Sequence, residues 1–255
     1  MSTELSTPAV VLRTRPLREA DLIVILLTPG RGKIDCIARG ARRSRKRFPG
    51  GLPVGARGEA QLGSFNRGSL VPLAGFAPTA DHSQLGRSLE LFAYVAYLCE
   101  LTEQLVGEAI PDPTTFARLC EAIAAAMDAT RPDLLRRYEL GLLDELGFLP
   151  ALDRCSVCGS PVDEQESGVA FSHERGGALC LAHSRMVRRV PAAALRLAIA
   201  LLDADPSAAA AAYQETDKDT RRALRDLCRQ SIGPHLHGPL HSLGFFAQIA
   251  KPRTS

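Results

Sequence analysis

The sequence predicts an α+β protein of several domains: a small N-terminal β-barrel, then a mostly α-helical part that contains a small cysteine-rich insertion. Three observations predict this class. Short apolar segments alternate with turn residues in the first eighty positions, apolar residues recur at helical spacing from about position 84, and cysteines cluster after position 154. The predicted boundaries are a barrel over 1–80, helices over 81–150, the insertion over 151–187 and helices over 188–255.

Five segments near the N-terminus have the composition of short strands bounded by turn residues. They are PAVVLRTR, DLIVILLT, GKIDCIARG, VGARGEAQLG and SLVPLAGF. In the third segment, Ile34, Cys36 and Ala38 occupy alternate positions, as on one face of a strand. Five short strands closed by glycines within about eighty residues favour a barrel over a sandwich.

Three helices are predicted after the barrel. The stretch LGRSLELFAYVAYLCELTEQLV has apolar residues three and four positions apart over some six turns. A second helix starts near Asp112 and Pro113, and a third covers about 132–146 and stops at Gly147. Tyr94 and Tyr97 are expected at core or boundary positions of this bundle, which shows no catalytic arrangement of residues.

Positive charge is concentrated at the front of the chain. Residues 1–80 hold 13 Lys/Arg against 5 Asp/Glu, whereas the remainder holds 18 against 23. The segment RGARRSRKR, residues 39–47, carries six positive charges and no acid. Binding of phosphates by counterion release needs a cluster of this kind. The candidate phosphate-binding residues are Lys33, Arg39, Arg42, Arg43, Arg45, Lys46 and Arg47.

Two alternatives for this segment remain open, namely a solvated loop and a nuclear-type targeting address. If its last part is extended, Arg43, Arg45 and Arg47 point one way, and Arg42 and Lys46 the other. Aromatic residues are scarce in this part of the chain, so binding is expected to be dominated by the phosphate backbone and tolerant of sequence. Its aromatic residues are Phe48, Phe65 and Phe76, of which the first two could stack on bases, although core packing is the favoured role.

A second informative pattern lies in the insertion. Cys155 and Cys158 form a Cys-x2-Cys pair, and Cys180 and His183 form a second pair that is separated from the first by 21 residues. Three thiolates and an imidazole are the tetrahedral set that structural zinc prefers, and four such ligands leave no position for a substrate. Three alternatives remain: a redox pair, a catalytic zinc with three of these ligands and water, and His173 as fourth ligand. The other cysteines are expected to be inert thiols in apolar surroundings: Cys36, Cys99, Cys120 and Cys228.

These features, in this order, resemble the RecO family of bacterial recombinational DNA repair proteins. The resemblance runs nearly end to end and rests on AVVLRTRPLREADLIVILLTPGRGKIDCIARGARRSRKRF, on RRYELGLLDELGFLPALDRCSVCG and, more loosely, on HLHGPLHSLGFF. It implies an N-terminal OB-type β-barrel, a mostly α-helical domain and a small zinc-binding insertion. Zinc-bearing members commonly have a fourth cysteine where this chain has His183.

The resemblance also implies a function. Members bind single- and double-stranded DNA, anneal complementary single strands and act with RecR in the RecF pathway. There they help RecA load on strands covered by single-stranded-DNA-binding protein. A non-enzymatic, cytoplasmic, nucleoid-associated protein without a membrane partner is therefore expected, and the N-terminus shows no signal-peptide pattern.

Two other functions stay open. The first is a zinc-containing adaptor that acts mainly through protein contacts, for which Tyr138 and the two earlier tyrosines could provide anchors. The second is an enzyme built on the cysteine cluster, which would need an unfilled ligand position and a nearby proton carrier. Carriers of the right kind in that segment are Glu164, Glu166, His173 and Glu174.

Overall fold

The structure, a computed structural model, describes residues 5–64, 70–86, 88–162, 165, 167–203 and 205–249. Among the sequence-based candidates, Phe65, Glu164 and Glu166 lie outside these residues. The chain forms two compact units, one of Met1–Thr130 with His237–Ser255 and one of Arg131–Leu236. The four domain boundaries expected from the sequence remain predictions.

The first unit contains a closed five-stranded barrel, so the predicted fold class is confirmed here. Its strands are β1 (Leu5–Pro16), β2 (Leu22–Thr28), β3 (Gly32–Ala38), β4 (Arg57–Leu62) and β5 (Val71–Pro78). Around the barrel they follow the order β1-β2-β3-β5-β4, and β4 closes onto β1. The pairing of β3 with β5 is parallel, and the other pairings are antiparallel. This is the OB-type arrangement of a small Greek-key barrel.

The two predicted strand patterns correspond to two kinds of burial. In β3, Ile34, Cys36 and Ala38 are buried in the barrel core, and the residues between them are half-buried. In β2 the apolar run is continuous because both faces are covered. Val24 faces the barrel core, while Ile25 is also buried on the opposite face, where α-helix packs against the barrel.

The remaining elements follow the barrel. They are α1 (Leu89–Leu105), α2 (Pro113–Asp128), α3 (Pro132–Glu145), β6 (Val169–Ser172), β7 (Gly177–Leu179), β8 (Arg189–Val190), α4 (Ala192–Asp203), α5 (Pro206–Glu215), α6 (Lys218–Ile232) and α7 (Leu243–Ile249). Asp112 caps α2 by accepting a hydrogen bond from the Thr115 N–H at 2.9 Å, with Pro113 in the first turn. In the described part of the chain, no helix is both long and apolar enough to cross a bilayer.

The last described segment of the chain packs against α1 in the first unit. The Glu100 carboxylate accepts hydrogen bonds from the N–H groups of His241 and Ser242, both at 2.8 Å. The rings of Phe245 in α7 and Phe92 in α1 lie edge to face with centroids 5.2 Å apart. Two segments that are far apart in the sequence therefore belong to one unit. A division of the chain into consecutive domains cannot represent this arrangement.

In the second unit, the helices and the small sheet share one hydrophobic core. The sheet has the strand order β7-β6-β8. Its side chains Val169, Phe171 and Ala178 pack in the same cluster as Leu195 and Leu224 from α4 and α6. The cysteine-rich insertion is therefore fixed to the helices by apolar packing as well as by its own contacts.

A buried ion pair within α3 provides a stability prediction for this unit. Arg136 Nη1 lies 2.7 Å from Glu139 Oε2, and the Glu139 side chain is only 1 % exposed. Replacing Glu139 with alanine leaves the guanidinium of Arg136 without this partner in a water-poor site, which is expected to cost about 3–5 kcal/mol of unfolding free energy. Urea unfolding of the variant measures this cost.

The exposed Arg225–Asp226 pair, 3.0 Å apart in α6, is the matched control for that measurement. Asp226→Ala is expected to change stability little because solvent screens the pair. If the two replacements lower the unfolding free energy equally, the larger contribution expected of the buried pair is contradicted.

Candidate functional site

The basic loop (residues 39–47) connects β3 to the segment before β4, and it is folded into turns. The N–H groups of Arg43 and Ser44 both donate to the Gly40 carbonyl, at 3.1 and 3.0 Å, and the Phe48 N–H donates to the Ser44 carbonyl at 3.1 Å. The last part of the loop is therefore not extended, and the condition under which alternate arginines would point opposite ways is not met. Main-chain hydrogen bonds within the loop replace the pairing that an extended strand would need.

Both flanks of the barrel hold the basic loop in place. On one side, the Gly40 N–H donates to Asp21 Oδ1 at 2.8 Å, just before β2. On the other, the Phe76 N–H of β5 donates to the Arg47 carbonyl at 2.9 Å. Phe48 follows the loop and packs its ring in the barrel core, 2 % exposed, as favoured from the sequence. The loop is thus preordered, which lowers the entropic cost of binding a ligand.

Three of the six cations in the loop have partners inside the protein. Arg43 forms an ion pair with the Glu19 carboxylate, and Arg42 Nη1 donates to the Glu19 carbonyl at 3.2 Å. Arg47 Nη2 donates to the carbonyl of Arg39 at 2.7 Å and closes the loop on itself. These side chains help to shape the loop in addition to providing charge.

The other three cations of the loop are not held by ion pairs or hydrogen bonds of this kind. The side chains of Arg39, Arg45 and Lys46 are exposed, and within the described residues they form no ion pair or hydrogen bond. Lys33 is different, because it lies at the far end of β3 and its Nζ donates to the Glu103 carbonyl of α1 at 2.6 Å. The structure does not bring Lys33 to the loop, so its assignment to phosphate binding stays a prediction.

A pocket of about 770 Å³ opens beside the basic loop. It combines apolar residues, two arginines and a pair of glycines: Leu22, Ala41, Arg42, Ser44, Arg45, Phe48, Pro49, Gly50, Gly51 and Leu52. Sequence reasoning did not find this pocket. The Pro-Gly-Gly run marks only a break in secondary structure, and no local pattern shows that Leu22 of β2 faces the loop.

The second site lies in the insertion, where the four predicted metal ligands converge. The ligand atoms of Cys155, Cys158, Cys180 and His183 all lie within 4.8 Å of one another. The Sγ atoms of Cys158 and Cys180 are 3.8 Å apart, and His183 Nδ1 is 3.5 Å from Cys155 Sγ and 3.3 Å from Cys180 Sγ. These four residues could hold one metal ion.

The spacing matches a tetrahedral ion. With metal–sulfur bonds of about 2.3 Å and metal–nitrogen bonds of about 2.0 Å, tetrahedral angles place two sulfurs about 3.8 Å apart and a sulfur and a nitrogen about 3.5 Å apart. The three separations in the structure lie within about 0.2 Å of these values. All four positions of such a site are filled by protein atoms, which is the arrangement of a structural centre.

Tight turns bring the two ligand pairs together. Gly159 has a φ of +71°, a left-handed conformation that suits glycine, and its N–H donates to the Cys155 carbonyl at 2.8 Å. The His183 N–H donates to the Cys180 carbonyl at 3.0 Å in the same way. Backbone N–H donors, first that of Cys180, lower the pKa of the Cys155 thiol to about 5. This lowering favours the thiolate of Cys155, which is the form that binds metal.

His173 is not part of this cluster. Its Nδ1 lies 3.4 Å from Ser231 Oγ, and its ring meets that of Phe171 at 5.0 Å. The alternative in which His173 replaces His183 is therefore wrong for this structure. The four isolated cysteines lie elsewhere, and burial raises the pKa of each thiol, as expected of inert cysteines: Cys36, Cys99, Cys120 and Cys228.

Comparison with known proteins identifies one family over most of the chain. The family model described as "Recombination protein O N terminal" matches residues 1–74, and the one described as "Recombination protein O C terminal" matches residues 86–244. Proteins called "DNA repair protein RecO" are similar over most of their length. The chain is 36 % identical to that of Anaeromyxobacter sp. (strain K) over 94 % of both chains. It is 32 % identical to that of Geobacter sulfurreducens over 94 % of this chain and 96 % of the relative.

The fold and the two sites define a class of protein with an OB-type barrel and a helical part that carries a closed three-cysteine, one-histidine cluster. The chain belongs to the RecO family of DNA repair proteins. Membership in this family supports a role in recombinational repair.

Proposed function

We propose that the chain is a non-enzymatic DNA-binding protein that grips single- and double-stranded DNA with the basic loop and anneals complementary single strands. The observation that carries this proposal is the set of exposed cations on a preordered loop of the barrel. Arg39, Arg45 and Lys46 have no intramolecular partner among the described residues, so their charge is available to phosphates. Arg42 and Arg43 add charge beside them, although both also contact Glu19.

Annealing requires two strands of like charge to approach each other. Cations that neutralise phosphates on both strands lower this repulsion, and the released counterions drive binding without regard to sequence. Bases stay free to pair because the protein holds the backbone. No proton transfer or covalent step is needed, so the proposal does not require a catalytic residue.

The proposed cofactor is one structural Zn²⁺, held by Cys155, Cys158, Cys180 and His183. This donor set and its spacing suit zinc, which is commonly bound by cysteine and histidine in closed tetrahedral sites. The metal would fix the two turns that carry its ligands and thereby the insertion. In this role it supplies stability and no chemistry.

Family membership supports the rest of the proposal. The chain would work in the cytoplasm at the nucleoid, in the RecF pathway with RecR. It would help RecA to load on strands covered by single-stranded-DNA-binding protein.

An adaptor that acts mainly through protein contacts is the second candidate. It is favoured by exposed apolar residues beside the metal site: Val157 is 51 % exposed, Leu181 52 % and Met186 fully exposed.

An annealing assay tests the first candidate against the second. Two complementary oligonucleotides carry a fluorescence donor and acceptor, and the rate of energy transfer is measured with wild type and with a variant in which Arg39, Arg45 and Lys46 are alanine. The variant is expected to lose most of the acceleration because it binds fewer phosphates. Undiminished annealing by the variant, with its fold intact, would instead support the adaptor.

A further inference from the structure

We propose that the pocket beside the basic loop takes one unstacked nucleobase of a single DNA strand, while the neighbouring phosphates lie on Arg42 and Arg45. This inference rests on the proposed DNA binding and adds to it the part of the ligand that each residue recognises. It assigns a base-binding role to the protein, whereas the basic loop by itself binds only the backbone.

The pocket has two kinds of surface. Phe48 and Leu52 are buried, at 2 % and 6 % exposed, and with half-buried Leu22 they provide an apolar floor. Arg42 and Arg45 are exposed and lie at the rim. A nucleotide has the same division, with a flat and weakly polar base on one side and an anionic phosphate on the other. An apolar cleft beside cations is therefore complementary to a nucleotide of a single strand.

The mouth of the pocket is open on one side. Gly50 and Gly51 have φ values of +76° and +78°, and a side chain placed at either would meet no atom within 4 Å. With no side chain at these positions, a sugar–phosphate chain has room to approach the protein backbone closely. The volume of about 770 Å³ lies within the range of about 300–1,000 Å³ that is usual for sites of small ligands.

The pocket is also preformed. The Gly51 N–H donates to the Phe48 carbonyl at 3.1 Å, and the loop is tied to β5 through the carbonyl of Arg47. Little ordering is required when a base enters. In a duplex, however, the base must first be unpaired and unstacked, so the pocket is expected to favour single strands over duplexes.

Ser44 offers a way to fill the pocket without changing its charge. Ser44 lines the pocket and is half-buried, and its main-chain bonds to Gly40 and Phe48 do not involve its side chain. Ser44→Phe places a ring in the cleft, and Ser44→Ala is the matched control. Both variants lose the 3.3 Å contact between Arg47 Nε and Ser44 Oγ, so that loss cancels in the comparison.

The test uses two single-stranded probes of equal length and charge: an oligomer made wholly of abasic sites, and the same oligomer with one central thymidine. Wild type and Ser44→Ala are expected to bind the thymidine probe about tenfold more tightly than the abasic probe. This is the gain in affinity that stacking one base on an apolar or aromatic surface provides. Ser44→Phe is expected to bind both probes alike. The dependence of affinity on salt should be the same for all three proteins, since the phosphates and cations are unchanged.

Two outcomes overturn the inference while the proposed function stands. In the first, wild type binds the two probes with equal affinity, and the variant lacking Arg39, Arg45 and Lys46 binds both probes more weakly than wild type does. The other is a tenfold preference for thymidine that persists in correctly folded Ser44→Phe. If the triple variant binds both probes like wild type, the proposed function itself fails, and the inference fails with it.

A measurement on wild type alone avoids any dependence on variant folding. 2-Aminopurine replaces the single thymidine, and its fluorescence is quenched with iodide in the free and the bound probe. Insertion into the pocket is expected to protect the base, so that quenching by iodide falls on binding. A bound base that iodide quenches as readily as the free probe overturns the inference.

Discussion

Replacing Cys158 and Cys180 together with serine is expected to abolish zinc binding and to destabilise the whole second unit, Arg131–Leu236. The wild type is expected to contain one zinc ion per chain and the variant close to none. Two of the four ligands are lost, and a pair of remaining donors cannot form the closed tetrahedral site.

The effect should be large because the energy of metal binding is folding energy. Apparent binding free energies of structural zinc in small peptides are about 10–16 kcal/mol, comparable with the entire stability of a domain, about 5–15 kcal/mol. The loss should extend beyond the insertion, since Val169, Phe171 and Ala178 of its sheet share a core with α4 and α6. Loosening the sheet therefore exposes apolar surface of the helices.

Elemental analysis of the purified proteins and thermal unfolding check this result. Cys120→Ser is the matched control, because Cys120 is half-buried and lies outside the ligand cluster. It should retain zinc and unfold near the wild-type temperature. Chelation of the metal from wild type should reproduce the effect of the double replacement. A double variant that unfolds like wild type would show that apolar packing alone holds the insertion.

Replacing Arg39, Arg45 and Lys46 with alanine is expected to weaken binding of single-stranded DNA about 100-fold at 0.1 M salt. Each phosphate contact contributes about 0.7 to the slope of log affinity against log salt on single strands, so three lost contacts reduce the slope by about 2. At 0.1 M salt a slope reduced by about 2 corresponds to about two orders of magnitude in affinity. These three residues are chosen because their side chains do not shape the loop.

A labelled single-stranded oligonucleotide titrated at several salt concentrations measures both quantities. The matched control replaces the exposed Arg222, Arg225 and Arg229 of α6 with alanine, since both triple variants lower the formal net charge from +3 to zero. The control should keep a slope close to that of wild type. If the two variants lose equal affinity, net charge and not the basic loop governs binding. If neither loses affinity, the loop is only a solvated connection.

The five barrel strands, the approximate bounds of α1 to α3 and the candidate metal ligands were predictable because their signals are local. The alternation of residues in β3 indicates its buried face, and Asp112 and Pro113 define the start of α2. Gly147, with a φ of +73°, follows the end of α3. The two ligand pairs are likewise visible as short spacings that let thiolates converge. His183 is the exception, because spacing alone left His173 open.

By itself, then, the sequence determined the order of the barrel strands and of the first three helices, the fold class and the chemical kind of both candidate sites. Only the tertiary structure decided how the basic loop turns, that Lys33 donates a hydrogen bond to α1, and that Leu22 lines a pocket with Gly50 and Gly51. The physical reason is the range of the interactions. Periodicity, caps and ligand spacing act within a few residues, whereas the loop is fixed by hydrogen bonds and packing to strands that are distant in the sequence.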